Sequence, residues 1–509
     1  MILDRILRFI HCSCLCILGL VVVSQPAMAM GPLSIRLATP ETLAGLEPGA
    51  STPRYGLFKC QVGLSVGACY DPYQMRHAYQ IDSLITAGYD GTGHTIVIID
   101  AFQSPNIVQQ LNTYISFYGL PSLNGLGNPA NPSLGTFTQI APNGLTAFVP
   151  GDPNMTGWAE EISLDVLWAH AIAPGANIVL VLAKSNQDAD LQSALSYAVE
   201  HNLGDVISQS YGENESCMDP TILSQQHNTF AAATQQNITL FASSADDGAA
   251  QMTCDGNSWV KAASTPAVDP LVTAVGGTEL HAAGYCLTSL GCNPSTNPSP
   301  GTYQSEIAWN EGPPFGDFQA DFGSSIATGG GFSVLFDQPS YQKASGFPGN
   351  QRAVPDVAYN AAVLHGVLTY LNIPGIPVGF YRFGGTSAGS PQWAAMTAIA
   401  DQMYGGRLGF LNRVIYHAGR LSKEYPVTFN DVTSGTNSVV EYDSLGNPVT
   451  VIGFNAGVGW DATTGTGTPI GKGLVDYLVE RASLYGPSEI GNGPKSYPKP
   501  NEPGEMDPH

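Results

Sequence analysis

Short apolar runs alternate along this chain with longer stretches in which apolar residues recur at helical spacing. Thr95 to Asp100 (TIVIID) is a continuous apolar run closed by a carboxylate, the pattern of a strand buried on both faces. Asn177 to Ala183, Asp205 to Tyr211, Thr239 to Ala245 and Leu271 to Gly276 also read as strands. Between and around them, Ile107 to Tyr118, Trp158 to His170, Ala189 to Asn202 and Pro220 to Gln236 read as helices. Two more helices are predicted, one just after Ser387 and one over Phe410 to Gly419. Gly119 to Pro153 and residues 279–355 are rich in turn formers and read as loop. Strands alternating with helices predict an α/β fold with a parallel sheet and helices on both faces. Length alone, 509 residues, suggests about three domains. The pattern, which has no internal repeat, fits one α/β domain with large loop insertions better.

The two ends depart from this pattern. Arg5 and Arg8 precede an apolar run, Phe9 to Val23, that is too short to span a membrane comfortably. Ala27-Met28-Ala29 is a small-x-small cleavage pattern. Residues 1–29 are therefore expected to be a signal peptide, leaving a secreted chain that starts at Met30 with no membrane attachment. Residues 30–69 form a Gly- and Pro-interrupted segment with two local cysteines, and residues 486–509 are expected to be a disordered Pro/Gly-rich tail. Outside the signal the cysteines are Cys60, Cys69, Cys217, Cys254, Cys286 and Cys292. An even number in an exported chain implies disulfides, and local spacing favours 60–69, 217–254 and 286–292. Neither Cys-x-x-Cys nor His-Glu-x-x-His occurs, so no zinc site is expected. With 19 basic against 41 acidic residues, a net charge of -22, the chain lacks the basic footprint that nucleic acid needs. That balance suits an acidic workplace, where carboxylates lose their mutual repulsion.

The candidate chemistry centres on Gly384-Gly385-Thr386-Ser387-Ala388-Gly389-Ser390-Pro391. Glycine permits a tight turn there, and Pro391 suits a first helical turn. Ser387 then sits near a helix N-terminus, where developing negative charge is favoured. The His-Gly-Thr expected of a histidine base is missing. The nearest match, His365-Gly366-Val367, comes just before the serine, in the wrong order. His170 and His201 fall at predicted helix ends and read as structural or solvated. Carboxylates offer an alternative. Glu161 and Asp165 lie four apart on one predicted helix, hence on one face, where a shared proton would remove their repulsion. Glu160 beside them reads as solvent-facing. Asp246 follows the Leu240 to Ala245 strand, the position where open α/β sheets gather functional groups.

These residues resemble the sedolisin family, serine-carboxyl peptidases with a subtilisin-like fold. The signals are Gly385-Thr386-Ser387-Ala388, Glu161-x-x-Leu164-Asp165 followed by Ala173-Pro174-Gly175-Ala176, Ala245-Asp246-Asp247-Gly248, and a C-terminal Asp431 loop. The similarity runs from about Tyr70 to Leu484, so residues 70–485 are expected to form the peptidase domain. The resemblance implies that Ser387 attacks the peptide carbonyl, Glu161 is general base and then acid, Asp165 orients it, and a protonated Asp246 holds the oxyanion. It implies substrate binding along Ser210, Tyr211 and Gly212. It also implies a C-terminal loop holding one Ca2+ through Asp431, Val432, Gly457, Gly459 and Asp461. Hard oxygen donors and glycine-exposed carbonyls are what calcium requires.

Some features depart from the family pattern. Only about forty residues separate Met30 from the start of the similarity, so activation through a large pro-segment is not expected. Ala245 stands where glycine is common, and Tyr211 where tryptophan is common. Asp100 stands where some relatives carry an acid linked to the catalytic pair; by itself it reads as structural. The function expected is that of a secreted, monomeric, acid-acting endopeptidase on protein or peptide substrates. The alternatives are a histidine-based protease, an inactive binding protein on the same scaffold and a tripeptidyl-type exopeptidase.

Overall fold

The computed structural model describes residues 30–32, 35–37, 39–44, 56–62, 69–287, 293, 296–312, 325–344 and 349–482. The expected signal (1–29) and tail (486–509) lie outside them.

In chain order, the elements that position the site begin with β1 (Gly31–Pro32), β2 (Ile35–Arg36), β3 (Thr95–Ala101), α1 (Ile107–Tyr118), β4 (Phe137–Ile140) and α2 (Pro153–Ile172). Next come β5 (Asn177–Ala183), α3 (Asp188–Glu200), β6 (Val206–Gln209), β7 (Tyr211–Asn214), α4 (Pro220–Gln235) and β8 (Thr239–Ser243). Then follow β9 (Thr273–Ala282), β10 (Tyr303–Ala308), β11 (Val357–Asn360), β12 (Val367–Leu371), β13 (Gly379–Gly384) and α5 (Gly389–Tyr404).

The central sheet has eight strands, in the order β10-β9-β8-β6-β3-β5-β4, with β11 also pairing β9. Every pair is parallel except β9 with β10. Strand β3 shows why. Ile96 to Ala101 is buried throughout, as a strand covered by helices on both sides must be. This is the expected α/β parallel sheet.

Helix α2 starts under an Asp152 cap, whose carboxylate accepts the Met155 N–H at 2.9 Å, with Pro153 in its first turn. From Trp158 to Ile172 it is buried apart from Glu160, so it behaves as a core helix rather than an amphipathic surface helix. Helix α5, packed on α2, β6 and β8, is buried over Gly389 to Asp401.

Two segments read as loop hold strands. Phe137–Ile140 is an edge strand whose Thr138 and Gln139 face solvent. Within 279–355, Tyr303–Ala308, Gly331–Asp337 and Gln351–Val354 are strands, the first carrying the polar run Gln304-Ser305-Glu306 that hides its pattern. Disulfides join Cys60 to Cys69 and Cys217 to Cys254, as spacing suggested. Cys286 is also disulfide-bonded, while Cys292 lies outside the described residues. No helix among the described residues is long and apolar enough to cross a membrane.

Candidate active site

Glu161 and Asp165 are fully buried, not solvent-facing as two acids on a helix usually are. Asp100, at the end of β3, is equally buried. Burial pushes the Asp165 carboxyl well above the ordinary carboxylate range, and the charge of Asp100 adds to this; the Ser210 hydroxyl and Glu161 pull it back. Burial likewise raises Asp100, with Glu161 contributing. The three acids therefore feel one another. Among the described residues, neither oxygen of Asp100 has a hydrogen-bond partner. Burial favours the neutral form of these carboxyls, and a proton shared among them would relieve their repulsion. Asp100 is thus coupled to the pair, beyond a merely structural reading. Glu160 is not free in solvent: its carboxylate is 2.9 Å from the Arg36 guanidinium.

The serine sits on a 3-10 turn, Thr386–Ala388, between β13 and α5, and α2 packs against that turn. Gly385 enters the turn at φ 94°, a conformation that favours glycine. Ser387 is fully buried, and its hydroxyl donates to the Ser210 carbonyl at 3.5 Å, the edge of hydrogen-bond range. The turn also fixes Asp246. The Thr386 N–H and hydroxyl both donate to Asp246 Oδ1, each at 2.8 Å. Asp246 Oδ2 is buried with no hydrogen-bond partner among the described residues. Burial raises this carboxyl well above its ordinary range, against the pull of the two Thr386 donors. In the sequence Thr386 counted only as part of the Gly385-Thr386-Ser387-Ala388 signal, with no role of its own.

Ala245, just before Asp246, has φ 96°. A non-glycine residue there is strained, which gives the physical reason that glycine suits the position. The neighbouring Gly329 lies so close that a Cβ on it would meet the Ser244 carbonyl at 1.9 Å.

Ser210, Tyr211 and Gly212 run beside the serine. The Tyr211 ring turns inward, 6.0 Å from Trp158, and its hydroxyl donates to Gln209 at 3.2 Å. What the strand offers outward is its backbone, and the chain's own N-terminal segment uses it. Gly31 and Pro32 pair antiparallel with Gly212 and Tyr211. Ile35 and Arg36 then pair antiparallel with Gly384 and Phe383, just before the serine turn. The Met30 carbonyl accepts from Asn186 at 2.9 Å. Nothing in the sequence of this segment signalled that docking.

The Asp431 and Asp461 loops meet. Asp431 Oδ1 accepts the Gly459 N–H at 3.0 Å and the Tyr425 hydroxyl at 3.0 Å. Asp461 accepts the N–H groups of Gly457 at 2.9 Å and of Thr463 and Thr464 at 2.8 Å. Burial raises Asp461 above its ordinary range, with those N–H groups pulling it down. Two carboxylates brought together on glycine-rich loops are oxygen donors of the kind a hard cation takes.

A parallel sheet of this order, with a buried serine on a glycine turn at the head of a core helix, defines a serine-type peptidase of subtilisin-like architecture. The chain is 30% identical over 444 residues to kumamolisin of Bacillus sp. (strain MN-32), spanning 85% of this chain and 68% of that protein. It is 30% identical over 410 residues to sedolisin of Pseudomonas sp. (strain 101), spanning 78% and 59%. The solved structure of Pseudomonas sedolisin, a serine-carboxyl proteinase complexed with two molecules of pseudo-iodotyrostatin, superposes with a TM-score of 0.65 at 27% identity, covering 82% of this chain and 100% of that one. No family model matches the chain. The protein belongs to the sedolisin family.

Proposed function

We propose that this protein is a secreted, acid-acting serine-carboxyl endopeptidase. Ser387 Oγ attacks the peptide carbonyl carbon while Glu161 takes the hydroxyl proton. Asp165, carrying a proton, orients Glu161. The oxyanion of the tetrahedral intermediate accepts a hydrogen bond from neutral Asp246. Glu161 returns the proton to the leaving amine, giving an acyl-enzyme, and then activates water to release it.

The observation that carries this reading is the two-sided environment of Asp246. Its Oδ1 is engaged by two donors, so the acid proton belongs on the unpartnered Oδ2, where it is available to a developing oxyanion. The N-terminal segment supports endo action, because it follows the path of an extended chain along strands on both sides of the serine turn. One calcium ion held by Asp431, Val432, Gly457, Gly459 and Asp461 supplies structural support, and export through residues 1–29 completes the reading.

The test is casein digestion across pH. Wild type is expected to peak below about pH 5 and fade towards neutrality as Asp246 ionises. Ser387→Ala abolishes activity. Asp246→Ala lowers kcat by roughly 10²–10³. Asp246→Asn, whose amide still donates, keeps more activity and flattens the alkaline fall. A wild-type maximum at pH 8, or Glu161→Gln with full activity, overturns the proposal.

A further inference from the structure

We propose that Glu279, His281 and His365 form a binding site for one borderline divalent ion of the zinc class, separate from the catalytic serine and from the Asp431 loop. Glu279 and His281 lie two apart on strand β9, so the pleat turns both to the same face. His365 comes from the turn between β11 and β12. Glu279 Oε1 is 3.2 Å from His281 Nε2 and 3.2 Å from His365 Nδ1, and the three ligand atoms all lie within 4.8 Å of one another. Zinc bound at about 2.0–2.1 Å in a tetrahedron spaces its ligand atoms roughly 3.3 Å apart. Two edges of that tetrahedral face are therefore already in place.

The chemistry fits the same ion. Two imidazoles and one carboxylate are a borderline-soft donor set, which suits zinc, cobalt or nickel better than calcium. The side chains of Glu279 and His365 are 18% and 11% exposed, and that of His281 is 38% exposed, leaving a way in for the ion and a position for water. Glu311 lies close enough to Glu279 to feel its charge, although burial favours its own neutral form. Arg382, which reaches the Leu364 carbonyl, is itself paired with Glu41. The absence of zinc motifs in the sequence does not bear on this site, because its ligands come from a strand and a distant turn.

The ion would tie that turn to the sheet. The Thr278 carbonyl, beside Glu279, accepts the Ala361 and Ala362 N–H groups. The Ala361 carbonyl in turn accepts the Gly385 N–H at 2.7 Å, two residues before Ser387. Metal at His365 thus fastens the turn on which the serine loop rests.

The experiment uses the full chain in excess calcium, freed of transition metals, at pH 7, where imidazole is a competent ligand. Zinc chloride is titrated by calorimetry and cobalt(II) chloride by visible absorption. One saturable equivalent, a zinc-dependent rise in melting temperature and a tetrahedral cobalt spectrum are expected. His281→Asn, His365→Asn and Glu279→Gln should each weaken binding at least about tenfold, while His77→Asn, at a surface ion pair with Asp82, leaves it unchanged. No saturable equivalent, or a folded His281→Asn/His365→Asn double variant that binds zinc like wild type, overturns the proposal. If the variants do not fold, a wild-type cobalt spectrum without tetrahedral ligand-field bands overturns it. Acid casein digestion is scored separately, so failure here leaves the peptidase reading standing.

Discussion

At the scale of single residues, the site depends on polar groups denied their ordinary surroundings. Ala245 bears φ 96° in order to aim Asp246. Ala245→Gly is expected to stabilise the fold by about 1 kcal/mol, since strain of this kind costs roughly 1–3 and glycine returns part of the gain as chain entropy. Denaturant melts of the two proteins check this; destabilisation would show that the alanine methyl is a packing group. The serine, the acid pair and Asp246 were all legible in the sequence as residue types in a characteristic order. Their burial was not. Two acids at i and i+4 look like a wet helix face, and only the apolar residues around the whole of α2 show otherwise. Thr386, the donor to Asp246, was masked by its neighbour. A hydroxyl beside a nucleophile carries no signature until the opposing carboxylate is in place.

At the scale of elements, the central parallel strands β3, β5 and β8 and their helices were readable because those strands are almost wholly apolar, whereas the edge strand β4, with Thr138 and Gln139 in solvent, was not. Asn177–Ala183 and Ile107–Tyr118 match their predicted limits. The strands between 279 and 355 were hidden because polar residues interrupt them and their partners are distant. That region contains the glycine run Gly329-Gly330-Gly331, which joins two sites. Gly329 lies against the Ser244 carbonyl, and a Cβ on Gly330 would meet the Ala462 carbonyl at 2.1 Å. The proposed calcium loop therefore abuts the strip that backs Asp246. Chelation is expected to lower both the melting temperature and kcat, and Gly330→Ala to do the same in saturating calcium. Thermal melts and initial rates with and without a strong chelator check this; no change in either would remove the metal from the account.

At the scale of the molecule, the buried acids set the conditions under which the fold persists. Burial raises Asp188 and Asp247 to about 6, Glu215 and Asp401 to about 7 and Glu213 to about 9, and pushes Asp100, Asp165 and Asp246 well upward. The unfolded chain releases these protons near pH ~4. Above that, the native state holds more protons than the unfolded state, so stability falls as pH rises through the folded values. Asp205 works the other way: although burial opposes it, hydrogen bonds from His94, Arg407 and the Thr95 N–H hold it at about 2. Its contribution is lost only in strong acid. Melting temperature is therefore expected to fall from pH 5 to pH 8, by differential scanning calorimetry. A rise over that range would contradict the assigned burial effects.

The edge-to-edge pairing of residues 31–36 with Tyr211–Gly212 and Phe383–Gly384 has a kinetic consequence. On the proposed endopeptidase reading, an incoming polypeptide that uses these strand edges has first to displace residues 31–36 from them. A chain beginning after Arg36 should act without delay, whereas one that retains this segment should show a lag in its progress curve. A synthetic peptide copying residues 30–37 should restore inhibition competitively to the shortened form.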